Sequence, residues 1–192
     1  MKIENSFRVD LPVSRAWATL LDIPGIVTCM PGAELLGVDD ERSYRGQVKV
    51  KLGPVAVAFK GRVQLTEVDE TQHQVRAKAA GTEEKGRGSA QADVSFRLTP
   101  DGAGTRVDVE TNLTLAGAVA QYGRAQGVIA DVSKMMIDSF ATNLQDRIGA
   151  GKGAPAAGEP NAQLSVPALS MFSILAAVIR GWFSRSKGSR SS

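Results

Sequence analysis

Residues 104–148 decide the fold, and they read GTRVDVETNLTLAGAVAQYGRAQGVIADVSKMMIDSFATNLQDRI. Over residues 104–115, apolar and polar side chains alternate, which predicts a β-strand with one buried face. Over residues 117–148, apolar side chains recur with helical spacing, which predicts one long amphipathic helix. Its apolar stripe consists of Ala118, Tyr122, Ala125, Ile129, Val132, Met136, Phe140 and Leu144. Such a helix has to bury its stripe, so we expect it to lie across a sheet.

The chain that precedes this stretch supplies the sheet. A first strand is predicted over residues 3–10, and further alternating segments follow at residues 34–39, 43–52, 55–68, 72–80 and 88–99. Two short helices are predicted after the first strand, one over residues 14–21 and one that starts at Pro24 and ends by Pro31. The predicted fold class is therefore α+β, with a curved antiparallel sheet of about seven strands wrapped on a long C-terminal helix.

Small side chains are frequent on the predicted concave face of this sheet. They are Gly46, Gly61, Ala77, Ala79, Ala90 and Ala92. Because protein interiors are close-packed, small residues under a helix predict an unfilled volume that takes a ligand. The alternative is that large helix residues fill the space, namely Tyr122, Met135, Met136 and Phe140. Gly123 and Gly127 have two interpretations as well: they make room for a ligand, or they pack closely against a strand.

The candidate ligand-binding residues are apolar residues of the predicted concave face, of the long helix and of a flap formed by residues 23–30, which would line or gate the cavity. They are Ile23, Ile26, Val27, Met30, Tyr44, Val48, Phe59, Ala77, Ala92, Phe96, Val109, Tyr122, Ile129 and Met136.

The end of the chain predicts a membrane attachment. Residues 168–184 form a helical pattern with a wide apolar face and a thin polar strip, which suits a helix in the plane of a membrane interface. A thin or tilted span and docking into a groove, on a partner or on this chain, are the alternatives. All charged residues after Glu159 are basic, which suits an anionic cytoplasmic leaflet. The predicted membrane-binding residues are Met171, Phe172, Ile174, Leu175, Val178, Ile179, Trp182, Phe183, Arg185 and Lys187.

Composition limits the function classes. The domain prediction is a ligand-binding domain over residues 1–149, a Gly-, Ala- and Pro-rich linker over 150–165 and the attachment tail over 166–192. The net charge of +3 comes from the basic tail, so the body lacks the basic balance of a nucleic-acid binder. The single cysteine, Cys29, excludes an internal disulfide, and the N-terminus has no apolar signal core. We therefore expect a cytosolic body without nucleic-acid contacts.

Catalytic and metal-binding patterns are missing from the sequence. His73 is the only histidine, and it lies at a predicted strand start without a carboxylate or nucleophile at a matching spacing. No metal-ligand spacing or phosphate-binding loop occurs. Residues 83–85 (Glu-Glu-Lys) are interpreted as a solvated loop or a docking surface. The sequence predicts a protein that is not an enzyme, with no catalytic residues and no metal.

Several short motifs resemble the CoxG family, the G-subunit family of carbon monoxide dehydrogenase, and through it the wider START/Bet v 1-like (SRPBCC) superfamily. The resemblance covers residues 1–148. The motifs are LDIPG (21–25), CMPGA (29–33), YRG (44–46), KLGP (51–54), FKG (59–61), GRGSA (86–90) and GAVAQYG (117–123). It implies a helix-grip fold with a long cavity between the sheet and the C-terminal helix, of the kind that binds lipids, sterols or polyketides.

The resemblance also implies an accessory protein of an aerobic molybdenum carbon monoxide dehydrogenase, of a kind linked to membrane attachment of the enzyme. The pattern of the tail predicts a location at the cytoplasmic face of the cell membrane. Our hypothesis combines the cavity, the tail and this enzyme: the chain carries a respiratory quinone between the membrane and the enzyme. We expect no covalently bound cofactor. The alternatives are a pure membrane-recruitment adaptor without a functional ligand and a polyketide-cyclase-like enzyme. A different molybdenum hydroxylase as the partner also remains open.

Overall fold

The computed structural model describes the backbone of residues 1–52, 55–123 and 126–152. The predicted tail over residues 166–192 and all but the first residues of the predicted linker lie outside the described residues.

One antiparallel sheet of seven strands forms the body within the described part of the chain, in the order β1-β7-β6-β5-β4-β3-β2. This arrangement confirms the predicted α+β fold class, because each strand from β2 to β6 pairs with the next one along the chain and β1 closes the row beside β7. The strands are β1 (Lys2–Val9), β2 (Ala33–Asp40), β3 (Ser43–Leu52), β4 (Val55–Asp69), β5 (Gln74–Glu83), β6 (Gly88–Asp101) and β7 (Gly104–Gly117).

The helices lie at both ends of the strand sequence. Two short ones follow β1, as predicted, and a 3₁₀ turn continues the second. The helices are α1 (Val13–Leu21), α2 (Ile23–Ile26) with the turn Val27–Cys29, α3 (Ala120–Gly123) and α4 (Gln126–Lys152).

The predicted helix over residues 117–148 begins and ends at other residues in the structure. Strand β7 continues to Gly117, whose positive φ of 73° turns the chain sharply, so the first helical residue is Ala120. A side chain at Gly117 would meet the Arg87 carbonyl oxygen at 2.9 Å, which favours glycine at this turn. At the other end, α4 extends to Lys152, past the predicted domain boundary at residue 149.

The predicted strand faces agree with the register of the sheet. Tyr44 lies opposite Val63, and Val63 lies opposite Ala79, so alternate residues of β3, β4 and β5 share the concave face. His73 is an exception, because it precedes β5 in a turn with φ 48°. Its ring packs edge-to-face on Trp17, with 5.3 Å between the ring centroids.

The packed core occupies one half of the concave face. Helix α1 and the C-terminal half of α4 cover this half, where Leu144 and Val75 have no exposed surface. Phe140 of α4 contacts Phe7 of β1 edge-to-face, with 5.6 Å between the ring centroids. The other half of the concave face contains the cavities described next.

Candidate ligand-binding cavities

A first cavity of about 320 Å³ lies on the concave side of strands β2 to β6. Its walls are almost entirely apolar, and strands supply most of them. The concave-face residues that line it are Ala33, Leu35, Tyr44, Gly46, Val48, Phe59, Gly61, Val63, Ala79, Gly81, Ala90 and Ala92, together with Val27 and Met30 from the segment before β2. The volume is at the lower end of the range for small-molecule sites.

A row of three glycines forms the floor of this cavity. Gly46, Gly61 and Gly81 lie directly opposite one another on β3, β4 and β5. A Cβ atom on Gly61 would collide with the carbonyl oxygen of Ala80, and one on Gly46 would lie 2.9 Å from that of Glu34. Close approach of the neighbouring backbone therefore favours glycine there, and the absence of side chains leaves the volume above it open.

A second cavity of about 290 Å³ lies between α4 and the sheet. Its lining combines the long helix with five strands and is again almost entirely apolar. The residues are Ile3, Met30, Val50, Val57, Phe59, Ala90, Thr111, Leu113, Leu115, Val119, Ile129, Val132, Ser133, Met136 and Ile137.

The two cavities share three wall residues. These are Met30, Phe59 and Ala90. Methionine is flexible and adapts to irregular shapes, so a change of the Met30 rotamer would alter the boundary between the cavities. The concave face thus offers two adjoining apolar cavities that share part of their walls.

Hydroxyl groups supply the polar character of the second cavity. Thr111 of β7 and Ser133 of α4 line it, and Asn5 Nδ2 donates to Ser133 Oγ at 2.9 Å. Because a serine hydroxyl accepts and donates at the same time, Ser133 can also donate its own proton to an acceptor in the cavity. In the first cavity the Tyr44 hydroxyl is already engaged, since it donates to the Glu41 carbonyl oxygen at 2.9 Å.

A buried carboxylate lies where the β5–β6 turn begins. Glu83 is 2% exposed, and it accepts from the Arg87 guanidinium at 2.7 Å and from the backbone N–H of Lys85 at 2.9 Å. The Arg87 hydrogen bond is the main cause that lowers the pKa of Glu83 to about 2. The interpretation of residues 83–85 as a solvated loop is therefore wrong for Glu83, whose partner Arg87 lies four residues further on.

The segment predicted to be a flap is tied to α4. The Asn143 side chain donates to the Cys29 carbonyl oxygen at 2.9 Å, and the Arg147 guanidinium donates to the Gly25 carbonyl oxygen. Ile26 and Cys29 are buried in the core. These contacts hold the segment in place, so only Val27 and Met30 of the predicted flap residues reach a cavity.

The structure brings eight of the fourteen candidate ligand-binding residues to the cavity walls. These are Val27, Met30, Tyr44, Val48, Phe59, Ala92, Ile129 and Met136. Five others belong to the packed half of the concave face and line neither cavity, because α1 and the end of α4 cover them: Ile23, Ile26, Ala77, Phe96 and Val109. The side chain of Tyr122 lies outside the described residues.

We expected the long helix to cover the small residues of the sheet, but the structure differs. Five of the six predicted small residues line the first cavity, but none of the described α4 residues does. Met135, proposed as a filler, is 57% exposed and points away from the sheet. A Cβ atom on Gly127 would meet no atom within 4 Å, so the interpretation of close packing against a strand is wrong there. Gly127 also lines neither cavity.

Sequence reasoning missed most of the second cavity. Its walls include Val50 and Leu115, which the alternation of β3 and β7 places on the concave side, and Val119 from the turn between β7 and α3, but no pattern assigns these residues to a cavity. Small residues are a signal for open space, whereas this cavity has large walls. Its volume depends on how far α4 stands from the sheet.

The predicted membrane-binding residues lie in the tail, outside the described part of the chain. Within the described ranges, no helix is both long and apolar enough to cross a bilayer. The same ranges contain no group of three or more His, Cys, Asp or Glu side chains arranged to hold a metal ion.

Solved structures share this fold. A conserved protein from Geobacillus kaustophilus has a TM-score of 0.68 at 20% identity, covering 79% of this chain and 97% of its own. The ZhuI aromatase/cyclase from Streptomyces sp. R1128 has a TM-score of 0.57 at 14% identity, covering 80% and 96%. At these identities the similarity shows the helix-grip fold alone.

Sequence comparison gives a more specific result. No curated protein matches the chain by sequence. The sequence model of CoxG, the family described as the G-subunit of carbon monoxide dehydrogenase, matches residues 6–149, which include the whole sheet apart from the start of β1 and nearly all of α4.

Proposed function

Because the chain belongs to the CoxG family of carbon monoxide dehydrogenase, we propose that it is an accessory protein that holds an apolar molecule in its two cavities and links a carbon monoxide dehydrogenase to the membrane. The ligand we propose is a respiratory quinone. The tail over residues 166–192 attaches the protein to the cytoplasmic face of the membrane, and the body presents the ligand to the enzyme.

The observation that carries this proposal is the pair of adjoining apolar cavities, with hydroxyl groups in the second one. A quinone combines a ring that carries two carbonyl acceptors with a long apolar chain. Thr111 and Ser133 offer donors for a carbonyl oxygen in the second cavity. The apolar walls of the first cavity, beyond Met30 and Phe59, suit the chain. The apolar walls replace the surroundings that the chain has in the bilayer, so the quinone can leave the lipid without exposing apolar surface to water.

The chemistry of the enzyme gives a reason for such a carrier. Oxidation of carbon monoxide with water yields carbon dioxide, two protons and two electrons, and a quinone that accepts them becomes a quinol. Quinones are too apolar to leave the bilayer unaided. A protein that binds both the membrane and the enzyme, and that shields the quinone from water, lets this acceptor reach the enzyme.

Native mass spectrometry with lipid extraction of the full chain, purified from a quinone-containing host, tests the ligand. We expect a quinone at one molecule per chain. Ala92→Phe fills the first cavity and Ser133→Leu removes the hydroxyl of the second, so both variants should lose most of the quinone. Ala103→Phe, in an exposed turn remote from both cavities, is the matched control and should retain it.

An empty wild-type chain that still binds the dehydrogenase and floats with vesicles would contradict the carrier and leave a membrane-recruitment adaptor. A chain that binds neither the enzyme nor vesicles would contradict the accessory role as well.

The fold similarity to an aromatase/cyclase makes catalysis on a polyketide the second candidate. The groups that line the second cavity do not favour it, because the hydroxyls of Thr111 and Ser133 have no described base beside them to activate them. Incubation with an aromatic polyketide substrate decides the matter: turnover that Ser133→Leu abolishes would establish an enzyme.

A further inference from the structure

Charge is distributed unevenly between the two ends of the sheet. The turns at one end, β2–β3, β4–β5 and β6–β7, carry mostly acidic residues: Asp39, Asp40, Glu41, Asp69, Glu70 and Asp101. We call the opposite end, formed by residues 48–52, 55–60 and 83–88 of the β3–β4 and β5–β6 hairpins, the hairpin end. Its exposed lysines are Lys49, Lys51, Lys60 and Lys85.

The acidic residues of the hairpin end are already neutralised. Glu83 pairs with Arg87 at 2.7 Å, and Glu84 pairs with Lys60 at 2.8 Å. Within the described residues no acidic side chain lies within ion-pair distance of Lys49 or Lys51. The nearby Glu34 of β2 accepts from Gln47 at 2.5 Å and is the remaining acid of this region. The hairpin end therefore keeps an excess of positive charge.

The second cavity lies directly behind this basic surface. On β3, Lys49 and Lys51 point to the convex side, while Val50 between them lines the cavity. On β4, Val57 and Phe59 line it in the same way. The same two strands thus carry positive side chains on the convex face and cavity-lining apolar side chains on the concave face.

We propose that the hairpin end docks end-on on an anionic lipid surface, with Lys49 and Lys51 as its main contacts, so that the part of the second cavity lined by Val50 and Val57 lies near the bilayer. This is a membrane contact of the body itself, separate from the tail. It rests on the proposed function and extends it, because it brings one end of the second cavity near the bilayer from which an apolar ligand comes, and it does not depend on which ligand that is. Exposed charges are screened by salt, so the contact weakens as ionic strength rises.

Charge reversal in the full chain tests the contact. Lys49→Glu/Lys51→Glu should lower the affinity for vesicles that contain phosphatidylglycerol by about tenfold or more, because two attractive charges become repulsive. Lys78→Glu/Arg97→Glu makes the same change of net charge on the convex face away from this end and should bind as the wild type does. Pure phosphatidylcholine vesicles should not distinguish the variants. Equal affinity of both variants for the anionic vesicles would overturn the proposal.

A site-specific probe separates contact by the body from contact by the tail. In a Cys29→Ala background, Ala56→Cys at the hairpin end and Ala103→Cys at the acidic end each carry an environment-sensitive dye. We expect anionic vesicles to shift the emission of the dye at residue 56 to shorter wavelength and to leave that at residue 103 unchanged. A chain that sediments with vesicles while the dye at residue 56 does not respond would show that the tail alone binds.

Neither readout requires a bound ligand. If mass spectrometry finds no bound ligand, the proposed carrier function is contradicted and the docking proposal is unaffected. If the dye at residue 56 does not respond to anionic vesicles, the docking proposal is contradicted and the carrier function is unaffected.

Discussion

Among the described residues, Glu83 has the most strongly lowered pKa. Its carboxylate is buried, and the hydrogen bonds from Arg87 and the backbone lower its pKa to about 2 from the usual value near 4.5. A carboxyl group with a lowered pKa stabilises the fold fully above its unfolded pKa, and that contribution is lost as the pH falls through the folded pKa. The relevant window therefore lies between about pH 4.5 and pH 2.

We expect Glu83→Gln to lower the Tm at pH 7 and to flatten its dependence on pH between 4.5 and 2, because the variant has no carboxyl to titrate. Thermal unfolding followed by circular dichroism across that range measures both effects. Glu67→Gln, at an exposed carboxyl that pairs with Arg76 at 3.4 Å, is the control and should follow the wild-type curve. Parallel curves for Glu83→Gln and wild type would contradict the assignment.

Leu144 shows how much a single apolar side chain contributes to stability in the packed half of the concave face. It is fully buried, so Leu144→Ala should lower the free energy of unfolding by about 2–5 kcal/mol. Met135 lies on the same helix and is 57% exposed, so Met135→Ala should change it by about 0.5 kcal/mol or less. Urea denaturation of both variants measures the difference, and similar losses would mean that α4 packs by another face.

At the scale of elements, two glycines in different surroundings predict opposite effects of the same substitution. Gly61→Ala places a methyl group against the Ala80 carbonyl and forces β4 and β5 apart, which should cost about 1–3 kcal/mol. Gly127→Ala meets open space in the first turn of α4 and should stabilise the protein by less than the roughly 1 kcal/mol that alanine gains over glycine in a helix interior. Chemical denaturation measures whether each substitution raises or lowers the free energy of unfolding. Stabilisation by Gly61→Ala would rule out the close approach of the two strands.

The elements themselves could be predicted to a large extent. Alternation is a local signal, and it predicts the strands of the β3 to β7 meander within a few residues of their observed ends. The bounds that differ depend on tertiary contacts: Gly117 turns because the Arg87 backbone lies beside it, and His73 leaves the strand to pack on Trp17. The fixed position of the segment before β2 also escaped prediction, because hydrogen bonds from Asn143 and Arg147, more than 100 positions later, hold it.

At the scale of the whole molecule, the concave face is divided between a packed half and a hollow half. Sequence patterns identify which side chains face inward, but the division depends on where α1 and α4 lie. Phe96 and Ile129 both face inward, yet Phe96 packs against the core and Ile129 lines a cavity. The first cavity was foreseeable from its small residues, whereas the second was not, because its walls are large side chains held apart by the path of the helix.

The hollow half has a mechanical consequence. A folded protein contains unfilled volume, and this volume is lost on unfolding because water then surrounds the chain. Unfolding therefore reduces the total volume, so pressure favours the unfolded state. We expect the ligand-free protein to unfold at moderate hydrostatic pressure, with a volume change towards the larger end of the usual range of about −20 to −100 mL/mol. Fluorescence of Trp17 under pressure, in a Trp182→Phe background, measures it, and Ala92→Phe should reduce the volume change. A chain with an occupied cavity would lose less volume on unfolding, so the pressure at which it unfolds would report how far the cavities are filled.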